Sequence, residues 1–410
     1  MRRKLFSAVV CGGFSFILAS CATSSSPSLA LSSYKPIPPE GIQLPTEAET
    51  TIDYSLFYAT TRKPLQTGAP RSTVPYAASR DPEFHQGPSE LNYGTLVVHV
   101  PKHHQTGSTG SLIGDITGQD PSLTVSRIQP YADESTFLHN VAIHMHDAVD
   151  LDAVVVYIHG FNNSFEQSAL RAGQLGVDLG IPQYRMFLFN WPSAASTASI
   201  VHGYFMDEAA IDASEAYLAK YLTQIASLAN GRKIHVVAHS MGNRALLRVV
   251  AGALHDAAVN NAIHFGQIIL AAPDVDAEVF HALAPAYLDI SDQTTVYLSP
   301  FDKAVHLSEA VHDYPRVGCG NAPIFPVKHI DYVVSYINVD LIDIGHAYFA
   351  QATPFLADMK SLIFHGQSIR ANAPWHPKKG YWVVGESLPA PNSVDRWGCE
   401  IIQTTTIGAP

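Results

Sequence analysis

Two short stretches carry residues whose types and spacing could do chemistry together. In "VVAHSMGNRALL" the segment Ala238-His239-Ser240-Met241-Gly242 sets a serine between small residues two positions before and two after it. That is the pattern of a tight strand-to-helix turn that holds a hydroxyl exposed at a strand end. In "VVVYIHGFNNSF" a run of branched and aromatic residues ends at His159, Gly160, Phe161, Asn162 and Asn163. Glycine at 160 lets backbone approach closely, so the amides of Phe161 and Met241 are candidates to face each other and hold a developing oxyanion. His159 and His239 are read as packing and hydrogen-bonding residues rather than bases. A serine hydroxyl needs a base and an orienting carboxylate before it becomes a nucleophile. His346 in "VDLIDIGHAYF" is the preferred base among twenty histidines, because it follows an apolar segment and a glycine. His306, His312, His329, His365 and His376 are placed less well. Asp302 in "TTVYLSPFDKAVHLS" is the preferred acid, in the loop after a short apolar strand; Asp274 and Asp276 in "LAAPDVD" compete for that role. Trp191 in "FNWPS" ends another strand and is expected, with Asn162, near the substrate.

These residues need a sheet to bring them together. "AVVVYIHG", "YRMFLFNWPS", "KIHVVAHS", "GQIILAAPD" and "TTVYLSPFD" are apolar runs of strand length, as expected for strands buried on both faces. Helical segments alternate with them. "SFEQSALRAGQLGVDLG" has Ser164 as N-cap and Gly180 as its stop, "MDEAAIDASEAYLAKYLTQIASLANG" predicts one long helix, and "MGNRALLRVVAGALH" a third. The alternation predicts an α/β fold with a mostly parallel sheet covered by helices on both faces. Upstream, "YSLFYATTR", "YGTLVVHVP", "LTVSRIQPY" and "NVAIHMHDAV" predict further strands.

Composition narrows the class. Of 410 residues 47% are hydrophobic and 15% charged, which excludes a disordered chain. The net charge of -11 leaves no positive field for a nucleic-acid partner. "MRRKLFSAVVCGGFSFILASC" has a basic start, an apolar run too short for a comfortable membrane span, and small residues before Cys21. Its end resembles the bacterial lipobox, so residues 1–20 are expected to be a lipoprotein signal peptide and Cys21 the lipidated first residue of the exported chain. Residues 21–50, rich in Ser and Pro, predict a tether. Ala22 after that cysteine leans toward the outer membrane, with the periplasmic face as the alternative. Cys11 leaves with the signal, so Cys319 and Cys399 remain as a pair in an oxidising compartment and are expected to form a disulfide. Clusters at His103 and His104, and at His144, His146 and Asp147, match no metal-hydrolase ligand motif; neither a metal nor another cofactor is expected.

The motifs "FYATTR", "YGTLVVHVPKHH", "VYIHGFNNSF", "FNWPS", "HVVAHSMGNRALL", "LAAPDVD", "SPFDKAVHLS" and "GHAYF" occur in an order that resembles the bacterial α/β hydrolases grouped as domain of unknown function nine hundred. The resemblance covers roughly residues 52–352. It implies an α/β-hydrolase domain over 51–352, with Ser240 as nucleophile and Asp302 and His346 as its partners, and a C-terminal extension over 353–410 packed on that domain. The expected activity is hydrolysis of a small or lipid-like ester through an acyl-enzyme on Ser240, without cofactor. Peptidase or thioesterase chemistry on the same residues, or a non-catalytic lipoprotein that binds a ligand or partner on this scaffold, are the alternatives.

Overall fold

The computed structural model describes residues 44–65, 74–77, 91–146, 153–193, 200–255, 263–319, 325–335, 346–366, 375–376, 380–384, 393–394 and 400–401. Eleven strands form one sheet: β1 (Ile52–Thr60), β2 (Asn92–Val100), β3 (Thr124–Pro130), β4 (Val154–Ile158), β5 (Met186–Asn190), β6 (Ile234–His239), β7 (Phe265–Ala271), β8 (Ser291–Leu298), β9 (Asp331–Ser335), β10 (Trp375–His376) and β11 (Tyr381–Val384). Their spatial order is β10-β11-β9-β8-β7-β6-β4-β5-β1-β2-β3. Every pairing from β11 through to β1 is parallel, and antiparallel strands close both edges. Two further short strands, Ser393–Val394 and Glu400–Ile401, pair with each other.

The alternation of side chains along a strand divides the core in two. Val154, Val156 and Ile158 of β4 face one cluster, and Val155 and Tyr157 face the other. On the first face lie α2 (Glu134–His146), α4 (Ile200–Asp212), α5 (Glu215–Leu228), α6 (Gly242–Ala251), α7 (Ala277–Leu283) and α8 (Ala286–Ile290), counting α1 as Leu112–Thr117. On the second lie α3 (Phe165–Leu179), α9 (Lys303–His312), α10 (Tyr348–Gln351) and α11 (Thr353–His365). This is the doubly covered α/β architecture expected from the sequence.

Helix α3 begins as expected. Ser164 accepts from Gln167 N while the Gln167 side chain accepts from Ser164 N, a capping box, and Gly180 closes the helix at φ 74°. Two expectations are corrected. "NVAIHMHDAV" predicted a strand, but residues through His146 belong to α2. Asp133 takes the Thr136 amide at 2.8 Å, and Phe137, Val141 and Met145 recur every four residues on the buried face. The single long helix expected before Gly231 is two, α4 and α5. Ser214 breaks it: its amide bonds Ile211 O one residue too early for an α-turn, and its hydroxyl reaches back to Ala210 O at 2.8 Å.

The segment beyond residue 352 enters both core and sheet. Phe355, Leu356, Met359 and Leu362 of α11 are fully buried, Asp358 takes the Tyr297 hydroxyl at 2.8 Å, and β11 extends the sheet beside β9.

Candidate functional site

The carboxyl ends of the parallel strands form one edge, where open α/β sheets bind their ligands. Ser240 follows β6 at φ 52°, a left-handed conformation that costs a non-glycine residue about 1–3 kcal/mol. The surroundings hold it there. Its amide donates to Ala271 O at 2.9 Å, and its carbonyl accepts from the amides of Asn243 and Asp274. The Asn243 side chain adds bonds to Ser240 O at 3.0 Å and Ala271 O at 3.2 Å. A network with this many fixed donors over-determines the turn. Two glycines make it possible. A methyl group on Gly242 would sit 2.6 Å from His159 O, and one on Gly160 would sit 2.7 Å from Ser240 Cβ. The Gly160–Phe161 peptide therefore lies directly against the serine. Met241 is the N-cap of α6, so its amide belongs to the open donors of a helix N-terminus.

His346 and Asp302 meet across the edge. His346 Nδ1 donates to both carboxylate oxygens of Asp302 at 2.9 Å. Asp302 is completely buried, and its Oδ1 also accepts the amides of Ala304 and Val305 at 3.1 Å as the N-cap of α9. The competing aspartates are occupied elsewhere. Asp276 caps α7 through Glu278 N and Val279 N. Asp274 accepts from the Tyr204 and Ser308 hydroxyls at 2.6 Å each and lies 3.6 Å from Arg316 Nε.

Ser240 and His346 line one cavity of about 400 Å³ together with Phe161, Asn162, Tyr204 and Phe349. Trp191 does not line it, a correction to its expected place near substrate. Its indole is fully buried, donates to His159 O at 2.8 Å and stacks on the His159 ring at a centroid distance of 4.9 Å. His159 and His239 have the packing roles expected of them. Burial, with Arg62 nearby, lowers His159 to a pKa of about 3. His239 is held neutral by burial and by His346, and its Nε2 donates to the His346 carbonyl at 3.2 Å.

One residue of the edge was given no role in the sequence, although it ends a motif of the family resemblance. Arg62, at the end of "FYATTR", is completely buried. Its guanidinium donates to Asn190 Oδ1 at 2.6 Å, Ser193 O at 3.2 Å and Asn163 O at 2.8 Å. Burial lowers its pKa to about 10, with Asp207 opposing. Asp207 in turn accepts from the Ser193 hydroxyl and from the Asn162 amide. Arg62 thus ties the ends of β1 and β5 to the loop carrying Phe161 and Asn162. Arg62→Met is expected to cost about 3 kcal/mol, because it leaves buried acceptors without their donor. Urea denaturation of the variant checks this.

Buried neutral histidines also set an acid limit on the fold. His235, whose Nδ1 accepts the Gln267 amide at 3.1 Å, is lowered to about 4, chiefly by burial. Unfolded imidazoles protonate near 6.5. As pH falls below about 6.5 the unfolded chain binds protons that folded His159 and His235 refuse, so stability declines until pH approaches about 3 for His159 and about 4 for His235. Each group contributes a slope of up to about 1.4 kcal/mol per pH unit. The thermal midpoint is expected to drop between pH 7 and pH 5, and to drop less in His235→Gln.

The sequence clusters considered for metals have other partners: His104 Nε2 bonds Asp178 at 2.9 Å, His103 bonds Glu47, and the His144 ring stacks on Tyr184 at 3.8 Å. His146 is exposed at the end of α2, and Asp147 lies outside the described residues. Among the described residues the ligand atoms of His306, Glu309 and Cys319 come within 4.8 Å of one another, and this cysteine is the one expected from the sequence to pair with Cys399. Cys399 and Cys21, with the signal and most of the tether, lie outside the described residues. Among the described residues no helix is long and apolar enough to cross a membrane.

A family model described as alpha/beta hydrolase of unknown function (DUF900) matches residues 134–358. No curated protein matches the chain.

Proposed function

This chain belongs to the family of α/β hydrolases of unknown function, and from that premise we propose that it is a serine hydrolase acting on carboxylic esters through an acyl-enzyme on Ser240. The observation that carries the proposal is the bond from His346 Nδ1 to a buried Asp302, beside a serine strained at φ 52° in the same cavity. A carboxylate that accepts from Nδ1 fixes the tautomer in which Nε2 carries the lone pair that takes a proton.

In the first half-reaction Ser240 Oγ attacks the ester carbonyl and its proton passes to His346 Nε2. Negative charge gathers on the former carbonyl oxygen, which the amides of Phe161 and Met241 hold, aided by the positive end of α6. Collapse breaks the bond to the alcohol, which leaves with the proton from His346. In the second half-reaction a water gives its proton to His346 and its oxygen to the acyl carbon, and Ser240 departs as the free hydroxyl. Asp302 stabilises the imidazolium in both halves. Asn162 lines the cavity and is the candidate substrate contact.

The reading extends to the cell envelope. The lipobox ending at Cys21 would anchor the exported chain by its lipid, and Cys319 would pair with Cys399. Mass spectrometry of the membrane-extracted protein tests both through the acylated N-terminal residue and the linked peptides.

The activity is tested with p-nitrophenyl acetate, the matching thioester and the matching anilide, with and without chelator. Ester turnover that resists chelation and exceeds anilide turnover is the expected result; turnover lost on chelation contradicts it. Gly160→Ala gives a structural check. Its methyl group would have to displace the Ser240 Cβ or the loop carrying Phe161, and turnover is expected to fall about 10²- to 10³-fold, the range for one lost oxyanion donor.

A further inference from the structure

One wall of the cavity is made by α4 and α9, joined where the Tyr204 hydroxyl meets Ser308 Oγ at 3.1 Å. Both helices leave large apolar side chains in water at the mouth. Val201 on α4 and Leu307 on α9 line the cavity and are 45% and 43% exposed. Phe205 stands one helical turn after Val201, is 50% exposed, and reaches the His312 ring at the end of α9 with centroids 6.4 Å apart. Residues four apart share a helix face, so Val201 and Phe205 form one apolar lip on α4 that starts in the nucleophile's cavity and runs out onto the surface, with Leu307 on α9 as the second apolar side chain of the same cavity wall. Charged groups border it: Glu208, one turn beyond Tyr204, is engaged by Arg244 and His312. An exposed apolar patch rimmed by polar residues marks a contact surface.

We propose that this lip docks on a lipid surface, and that the ester drawn into the cavity is an amphiphile taken from that surface with its alkyl chain running along Val201, Phe205 and Leu307. The proposal rests on the serine-hydrolase reading of Ser240. Continuity with the cavity selects the occupant, since whatever covers the lip must connect to a carbonyl placed at the serine. Charge selects the surface. A chain of net charge -11 is repelled by anionic headgroups, so the partner is a zwitterionic or neutral bilayer held by apolar contact. An N-terminal lipid on Cys21, expected from the sequence, would keep the chain near such a surface.

The test uses the exported chain without the signal expected at residues 1–20 and carrying Cys21→Ala, so that neither an apolar signal nor a lipid contributes, with a p-nitrophenyl ester of a medium-chain acid assayed across its solubility limit and in phosphatidylcholine vesicles. The expected result is a rise in turnover once the ester is aggregated or vesicle-bound, and a fall of at least tenfold in the ratio of aggregated to monomeric turnover in Phe205→Ser. Vesicle co-sedimentation of the inactive Ser240→Ala form should weaken in parallel when Phe205→Ser is added to it. Turnover of monomeric ester with no rise on aggregation, or a ratio that Phe205→Ser leaves unchanged, overturns the lip and leaves the serine-hydrolase reading intact. Absence of turnover on every ester by a folded chain overturns that reading and the lip with it.

Discussion

Ser240→Ala is expected to lower ester turnover by about 10⁴-fold or more, leaving only the residual rate that binding and oxyanion donors provide. The loss should fall on kcat, because the hydroxyl makes its decisive bond in the transition state and contributes little to holding the ground state. Stability should move the other way. The elbow at 240 is strained for any side chain with a Cβ, and alanine brings no more steric bulk than serine. The turn's backbone bonds to Ala271, Asn243 and Asp274 do not involve the hydroxyl. The thermal midpoint of Ser240→Ala should therefore equal or exceed that of the wild type. A large loss of stability would make the kinetic result uninterpretable, so calorimetry accompanies the assay.

Asp302→Asn should cost about 10⁴-fold in kcat for a different reason. The two α9 amides both bond Oδ1, so an asparagine in the cap keeps its carbonyl oxygen there and puts its amide nitrogen in the place of Oδ2. That nitrogen would donate toward His346 Nδ1, 2.9 Å away. The ring would then carry its proton on Nε2, where it cannot accept one from Ser240. The cap bonds survive, and asparagine is as good an N-cap as aspartate. A loss of stability much smaller than the kinetic loss would separate a tautomer effect from a folding defect, and the residual rate should show a pH dependence unlike that of the wild type.

The parallel core was legible because its strands bury both faces. "VVVYI" and "MFLFN" are apolar at every or nearly every position, "IHVVAH" is interrupted only by histidines, and all three are buried throughout, a pattern that helices with one wet face do not produce. Ser240 was legible for the same reason, since a small-residue turn after such a run has few other uses. The strand assigned to "NVAIHMHDAV" failed because β-branched residues outweighed a four-residue recurrence and an Asp133 cap that lies outside the quoted stretch. Trp191 misled because an aromatic at a strand end reads the same whether it faces a cavity or packs beneath one. The motif "FYATTR" was visible but the role of Arg62 was not: a single arginine after "ATT" carries no periodicity, and its meaning comes only from Asn190, Ser193 and Asn163, more than a hundred residues away. The choice between Asp274 and Asp302 also needed three dimensions. Both end apolar strands, and only their neighbours separate them, with Tyr204 and Ser308 on one and His346 on the other.

The central claim is that Ser240 is an activated nucleophile. Treating the folded full chain with a fluorophosphonate probe and mapping the modified peptide tests it most directly. The account predicts one label per chain, on Ser240, abolished in Ser240→Ala and strongly slowed in His346→Ala and Asp302→Asn. A folded wild-type chain that stays unlabelled, or a label on any other residue, would contradict it.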